Sequence, residues 1–335
     1  MSPPPPQTAV AATVENHIDE GWFRRSLIED VQRGLGRHPL RLPPRWLYDD
    51  RGSELFDQIT RLDEYYPTEA ERSILEREAD SIATITGADT LVELGSGTSD
   101  KTHTLIRALR ATGQLERFVP FDVSEQTLRS AAENLADEYP GLRVHAIVGD
   151  FALHLRHLPT GGTPLVAFLG STIGNLYEEE RHAFLSMLSD HLPARGWLLL
   201  GIDLIKPIER LVDAYDDPAG ITAEFSRNAL HLLNRELDAD FDVEAFDHIA
   251  LWDPRYERMD LRLRVNGDHD VAIPGADLEL ELHDGEEIRI EVSTKFRLPI
   301  ITDELADVGL ETRHVWTDDA GDVALILAAV ADRSI

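Results

Sequence analysis

The sequence predicts an α/β protein: a doubly wound, mostly parallel sheet joined by a second α+β part. Three observations carry this. Short apolar runs at 90–95, 117–123, 143–149, 165–170 and 196–203 alternate with helical patterns such as 124–138 and 178–191, the rhythm of strand–crossover–strand units. After residue 205 that rhythm stops. A helical stretch near 221–237 gives way to strict alternation in "DLELELHDGEEIRIEVSTKF", the pattern of strands with one wet face. The chain then closes on "TRHVWTDDAGDVALILAAV", which reads strand–turn–strand.

The elements follow in order. "MSPPPPQTAVAATVE" has no basic region before an apolar one, so residues 1–16 are expected to be a disordered tail and not a signal peptide. Ile18 to Gly34 has a helical pattern. In "RLPPRWLYDDRGSELFDQITRLDEYYPTEAER" two loop stretches flank a short helix, and Thr68 with Glu71 has capping-box spacing for a helix reaching about Ile85. Leu278, Leu280 and Leu282 share one face, as do Ile288, Ile290 and Val292, and "HDGEE" between them reads as a hairpin turn. The last two strands are expected to rejoin the main sheet. The division that follows assigns 70–204 plus 296–335 to one domain and 17–69 plus 205–295 to the second.

Composition removes several function classes. The 335 residues carry a net charge of −30, a field that repels phosphate backbones and argues against nucleic acid as partner. There is no cysteine, hence no disulfide, thiolate nucleophile or Cys-bound metal. The 13 histidines are scattered, with no H-x-x-x-H pair beside a carboxylate, so no metal site is expected. No apolar run approaches the roughly 20 residues that span a bilayer. No membrane association is expected, and a cytoplasmic monomer is the default.

"TLVELGSGTSDKTHTLI" is the stretch richest in chemistry. A strand ends in Glu93, and Gly95 and Gly97 form a turn into a helix, as at nucleotide sites. The third glycine of the dinucleotide fingerprint is missing, because Thr98, Ser99 and Asp100 follow. The acid-x-G-x-G-x-G form used for S-adenosylmethionine fits better: Glu93, Gly95 and Gly97 are present, with Ser99 in place of the last glycine. The next strand ends in Asp122, where ribose hydroxyls would lie, and the third in "VGDF", which places Asp150 and Phe151 where an adenine would lie. Helix capping is the alternative for both acids. Lys101 stands in the first turn of a helix, where the macrodipole disfavours a cation. It either holds a ligand carboxylate, which S-adenosylmethionine has, or is simply solvated. A nicotinamide oxidoreductase, another amine methyltransferase and a non-catalytic binding module are the rival readings. "GSTIGN" stands where nucleic-acid methyltransferases carry N/D-P-P-Y/F.

"LPPRWLYDDRGSELFDQITRLDEYYPTEAE", "LVELGSGTSDKT", "FLGSTIGNL" and "EVSTKFR" resemble the histidine-specific methyltransferases of ergothioneine biosynthesis, over roughly residues 20 to 330. That resemblance implies a Rossmann-like class I methyltransferase domain with an added substrate-binding domain. The implied reaction is threefold methylation of the α-amino group of L-histidine to hercynine, with S-adenosylhomocysteine as by-product. It places S-adenosylmethionine against Gly95, Lys101, Asp122, Asp150 and Phe151. It places histidine against Tyr48, Tyr65, Gly170, Asn175, Tyr215, Glu291 and Ser293. Leu261 stands where the family has a methionine beside the imidazole, a swap of similar volume. Tyr48 is the residue expected to orient or deprotonate the amine, through water.

The residues themselves leave choices open. Glu291 and Ser293 lie two apart and share a face: a solvent face, or a cleft offering acceptors and a donor to two imidazole nitrogens. Tyr65 and Tyr66 precede Pro67, so only one should face a pocket, the alternative being a hydrophobic staple. Asn175, three residues before Glu178, also suits a helix N-cap.

Overall fold

The computed structural model describes residues 12–96 and 101–331; Gly97, Thr98, Ser99 and Asp100 of the glycine turn lie outside them. In chain order, β1 (Thr13–Asn16) precedes α1 (Trp22–Leu35), α2 (Asp50–Ile59) and α3 (Tyr66–Thr86). The alternating section is β2 (Thr90–Leu94), α4 (Thr102–Ala111), β3 (Arg117–Asp122), α5 (Glu125–Glu138), β4 (Arg143–Val148), α6 (Phe151–His154), β5 (Pro164–Phe168), α7 (Glu178–His191) and β6 (Trp197–Asp203). Then come α8 (Ile208–Tyr215), α9 (Ile221–Leu237), β7 (Phe246–Asp253), β8 (Arg258–Val265), β9 (His269–Ile273), β10 (Leu278–Leu282) and β11 (Glu287–Thr294). The chain closes with α10 (Leu298–Asp307), β12 (Leu310–Thr317) and β13 (Val323–Val330).

Eight strands form the main sheet in the order β1-β4-β3-β2-β5-β6-β13-β12. Pairing is parallel from β1 to β6, whereas β13 and β12 run antiparallel. The last two strands therefore rejoin this sheet: β13 runs against its direction, and β12, antiparallel to β13, runs along it. Both faces are covered: Leu91 and Phe118 pack into the core on one side, Val92 and Val119 into the core on the other. Burial on both faces is why these strands read as unbroken apolar runs.

Three expectations need correction. Thr13–Asn16, taken as part of a disordered tail, is a strand in parallel register with β4, Thr13 opposite His145. A four-residue edge strand shows no period of its own; the open edge of β4 supplies its ladder. The Thr68–Glu71 capping box does not form. Helix α3 starts at Tyr66 with Pro67 in its first turn, where a missing N–H costs nothing, and Glu71 turns inward. The "HDGEE" hairpin does not form either. β10 pairs with β9 and β11 with β8, in separate sheets. The Asp284–Gly285 turn bonds across to residues 265–268 instead: Gly285 N–H donates to Val265 O at 2.9 Å and Gly267 N–H to Asp284 Oδ1 at 2.8 Å.

Helix α3 runs unbroken through residues 69 and 70, where the expected division between domains falls. Outside the main sheet, β11-β8-β7 form a three-stranded antiparallel sheet. Among the described residues no helix is long and apolar enough to cross a membrane.

Candidate active site

Strand β2 has β3 on one side and β5 on the other. The crossovers part at this point and leave a crevice beyond the carboxyl ends of the strands. Gly95 follows β2 with φ 67°, and a Cβ there would meet nothing within 4 Å, so bare backbone faces open space. Gly170 follows β5 with φ 72°, and its Cβ position lies 3.9 Å from Lys101 Nζ. Glu71, buried beneath, accepts the Gly170 N–H at 2.8 Å and pairs with Lys101. The structure thus brings Gly95, Lys101 and Gly170 to one crevice.

Asp122 ends β3, and its Oδ1 accepts from Ser124 N–H at 3.1 Å. Asp150 follows β4. Its carbonyl accepts from Leu153 and His154, so the helix-cap reading holds for its backbone. Its carboxylate turns instead to Arg45 Nη1 at 2.8 Å, and Arg45 also binds buried Asp30. The Phe151 ring stands edge-on to Phe168 and Phe184 at 5.4 and 5.7 Å.

The second group of residues also converges. Glu291 is 8% and Ser293 4% exposed, which rules out a solvent face. Cross-strand register sets Leu261 opposite Glu291 and Met259 opposite Ser293. Asn175 Nδ2 donates to Glu291 Oε1. The cap of α7 is Tyr177, whose N–H donates to Glu180 Oε2 at 3.0 Å, so the cap reading of Asn175 fails. Tyr215 Oη lies 2.9 Å from Ser293 Oγ, and the Tyr65 and Tyr215 rings meet edge to face at 6.2 Å. Tyr66 donates to Asp203 Oδ2 at 2.7 Å. Tyr48 packs edge-on against Phe56 and Phe225, at 5.4 and 5.2 Å, and Phe56 continues to Tyr65 at 6.1 Å.

Sequence reasoning missed the ionic frame beneath these groups. Asp203, wholly buried, ends β6 and takes both Lys206 and Lys295. Lys295 donates to Tyr215 Oη at 2.7 Å and to Ser293 Oγ at 2.8 Å. Asp203 N–H donates to Ser171 Oγ at 2.9 Å, tying the frame to the turn after β5. All three lysines of the sequence, Lys101, Lys206 and Lys295, serve this region. Their rarity was the available signal, used for Lys101 alone.

Burial governs the electrostatics. It pushes the Glu291 carboxyl up to about 7, against the opposing pull of the Asn175 hydrogen bond and the Lys295 charge. Burial also raises the Tyr48, Tyr65 and Tyr215 phenols well above their ordinary range, with Glu291 adding to each. These three phenols stay protonated near neutrality. Asp203 behaves oppositely: burial would raise it, but the Lys295 and Lys206 charges hold it below the usual carboxylate value.

The donor set fits S-adenosylmethionine. Lys101, now on Glu71, could meet its carboxylate, the open Gly95 turn leaves room for it, and Asp122 and Asp150, at successive strand ends, could meet its ribose and base. Sheet order and crevice together define an S-adenosylmethionine-dependent methyltransferase of the Rossmann-like class I. The chain belongs to the family of S-adenosylmethionine-dependent, histidine-specific methyltransferases, whose model matches residues 27–330. It is 50% identical to the histidine N-alpha-methyltransferase of Mycobacterium tuberculosis, over 95% of this chain and 99% of that protein. Identity to the Mycolicibacterium smegmatis enzyme of the same name is also 50%, over 94% and 98%. Ergothioneine biosynthesis protein 1 of Schizosaccharomyces pombe is 32% identical, over 67% of this chain and 30% of that protein.

Proposed function

We propose that the chain transfers three methyl groups in succession to the α-amino nitrogen of L-histidine, giving hercynine for ergothioneine biosynthesis. The observation that carries the substrate reading is the buried Glu291, held by Asn175 and flanked by Ser293 and Leu261. Glu291 and Ser293 offer an acceptor and a donor to the two imidazole nitrogens. An amino acid without them would leave a buried carboxyl group unmatched, which is how such sites discriminate. Tyr65, Gly170, Asn175 and Tyr215 are assigned to the amino acid's backbone groups. Gly95, Lys101, Asp122, Asp150 and Phe151 are assigned to S-adenosylmethionine. Residues 17–69 with 205–295 would act as the substrate part, and 70–204 with 296–335 as the methyl-transfer part, in a cytoplasmic monomer that engages neither nucleic acid nor membrane.

Bound S-adenosylmethionine supplies an electrophilic methyl on a sulfonium. The chain's work is to hold the amine in line with it and to let protons leave. Each of the three transfers releases one proton, since an ammonium enters and a quaternary ammonium departs. Tyr48, kept as a phenol by burial, is assigned to orient the amine through water by hydrogen bonding, not to act as a phenolate base. The rings of Tyr48, Phe56, Tyr65 and Phe225 lie together, and such faces stabilise a growing cationic head.

The test is incubation with S-adenosylmethionine and each of the twenty amino acids, with products weighed by mass spectrometry. A trimethylated product from histidine alone is expected, and Glu291→Ala should raise its KM about 5- to 100-fold. A product from a different amino acid, or from none, would overturn the reading.

A further inference from the structure

We propose that Glu15, His17 and His157 bind one divalent transition-metal ion, Zn²⁺ by preference, at the β1 edge of the main sheet. Candidate ligand atoms of these three side chains all lie within 4.8 Å of one another. His17 Nε2 is buried and stands 2.9 Å from Glu15 Oε1, yet makes no hydrogen bond. A buried ring nitrogen beside a carboxylate oxygen with no hydrogen bond made is an uncompensated polar atom, and a cation shared by the two would complement both.

The fold assembles the cluster at the carboxyl ends of two neighbouring parallel strands, β1 and β4. Glu15 and His17 are two apart at the end of β1 and so share a side. His17 N–H bonds Val148 O at 3.0 Å, which fixes it beside the carboxyl end of β4. The short helical turn Leu155–His157 then returns His157 over it, and the two rings stack at 3.4 Å and 20°. Glu15 Oε2 is held at 3.0 Å by His145 Nε2, an outer-shell contact of the kind that orients a ligating carboxylate. Arg156 Nε donates to His157 Nε2 at 3.2 Å, so this exposed guanidinium must swing away for that lone pair to reach the metal.

The donor chemistry selects the ion. Two imidazoles and one carboxylate suit zinc and its neighbours over calcium or magnesium. Exposed Glu15 leaves a fourth position for water. The net charge of −30 concentrates cations at the surface. Tetrahedral ligation needs donors roughly 3.3 Å apart, given Zn–N of about 2.0 Å, and in-plane lone pairs aimed at one point. The stacked rings must therefore turn against each other as the ion enters. The consequence reaches the crevice: His154, in the same loop, accepts the Asp150 N–H at 3.0 Å, so the metal would tie β1 to the segment carrying Asp150 and Phe151. Sequence spacing could not show this, because its members come from residues 15–17 and 145–157.

The test uses untagged full-length protein, stripped with chelator and titrated with ZnCl2 by calorimetry, with Co²⁺ absorption as a geometric check. One Zn²⁺ per chain and tetrahedral Co²⁺ bands are expected. His157→Gln should abolish stoichiometric binding, and His145→Ala should weaken it about 10- to 100-fold. Metal-free His157→Gln should keep its methyl-transfer activity, which shows that it is folded. Absence of zinc binding, or zinc binding by His157→Gln equal to the parent, would overturn the proposal. Should His17→Gln fail to fold, His157→Gln on its half-buried turn decides alone.

Discussion

Lys295 Nζ lies 2.8 Å from Asp203 Oδ2 with both side chains sealed from solvent. The same ammonium donates to Tyr215 and Ser293, whose hydroxyls bond each other. All three ammonium N–H groups are thereby used. One of the two hydroxyl protons is consumed in the Tyr215–Ser293 bond, so the pair has one O–H left to present to a ligand. Lys295 thus fixes the pair as a donor, and Asp203 balances the charge that does so.

Lys295→Met should test that role. Removing one partner of a buried ion pair costs about 3–5 kcal/mol, so the melting temperature should fall clearly. The hydroxyl pair would also lose its orientation, and KM for histidine should rise more than kcat falls. Thermal denaturation and steady-state kinetics together check this. A variant with the parent's KM would remove Lys295 from the binding frame.

The pH dependence of stability should carry the mark of Glu291. Its folded carboxyl sits near 7, against an ordinary 4.5, so between these values the folded state holds more protons than the unfolded one. Stability therefore falls as pH rises through that window, by about 3 kcal/mol in total. Glu291→Gln cannot ionise and should escape the loss. Urea midpoints at pH 5 and pH 8 should diverge between variant and parent, with the variant gaining at pH 8. Parallel midpoints at both pH values would count against the buried acid.

Much of this was legible in the sequence, for physical reasons that also mark where it stopped. The strands from Thr90 to Asp203 were readable because burial on both faces makes them apolar throughout. β1 was not, since four residues at an edge show no period. The partner of β11 was misread because alternation fixes which face of a strand is buried but not which strand lies beside it. Alternation put Glu291 and Ser293 on one face, but alternation does not say whether a polar face meets water or a cleft. Tyr177 and Glu180 exclude Asn175 as the α7 cap, through a pair at capping-box spacing whose N-cap residue type no rule favours.

Lys101 and Glu71 give a double-variant prediction. Charge-assisted hydrogen bonds contribute about 1.5–3 kcal/mol, so Lys101→Met should raise KM for S-adenosylmethionine about 10- to 150-fold while that for histidine changes little. It also deprives the buried Glu71 of its cation, so stability should drop. Adding Glu71→Gln should restore stability without restoring the KM. Recovery of both would make Lys101 a structural partner only.

Gly174 separates packing from chemistry. The turn Thr172–Asn175 rests on β11, and a Cβ at Gly174 would meet Thr294 O at 2.8 Å and Thr294 N at 3.2 Å. Both are backbone atoms, so neither can rotate away, and the turn must lift by a few tenths of an ångström. Asn175 is the next residue and Ser293 the one before Thr294, so that shift would draw Asn175 away from Glu291. Misplacement by about 1 Å can cost 100-fold in rate, and a smaller lift should raise KM for histidine by about ten-fold. Gly161→Ala, where a Cβ meets nothing within 4 Å, is the control and should behave as the parent. If Gly174→Ala unfolds the protein or leaves KM unchanged, the turn does not set the Asn175–Glu291 distance.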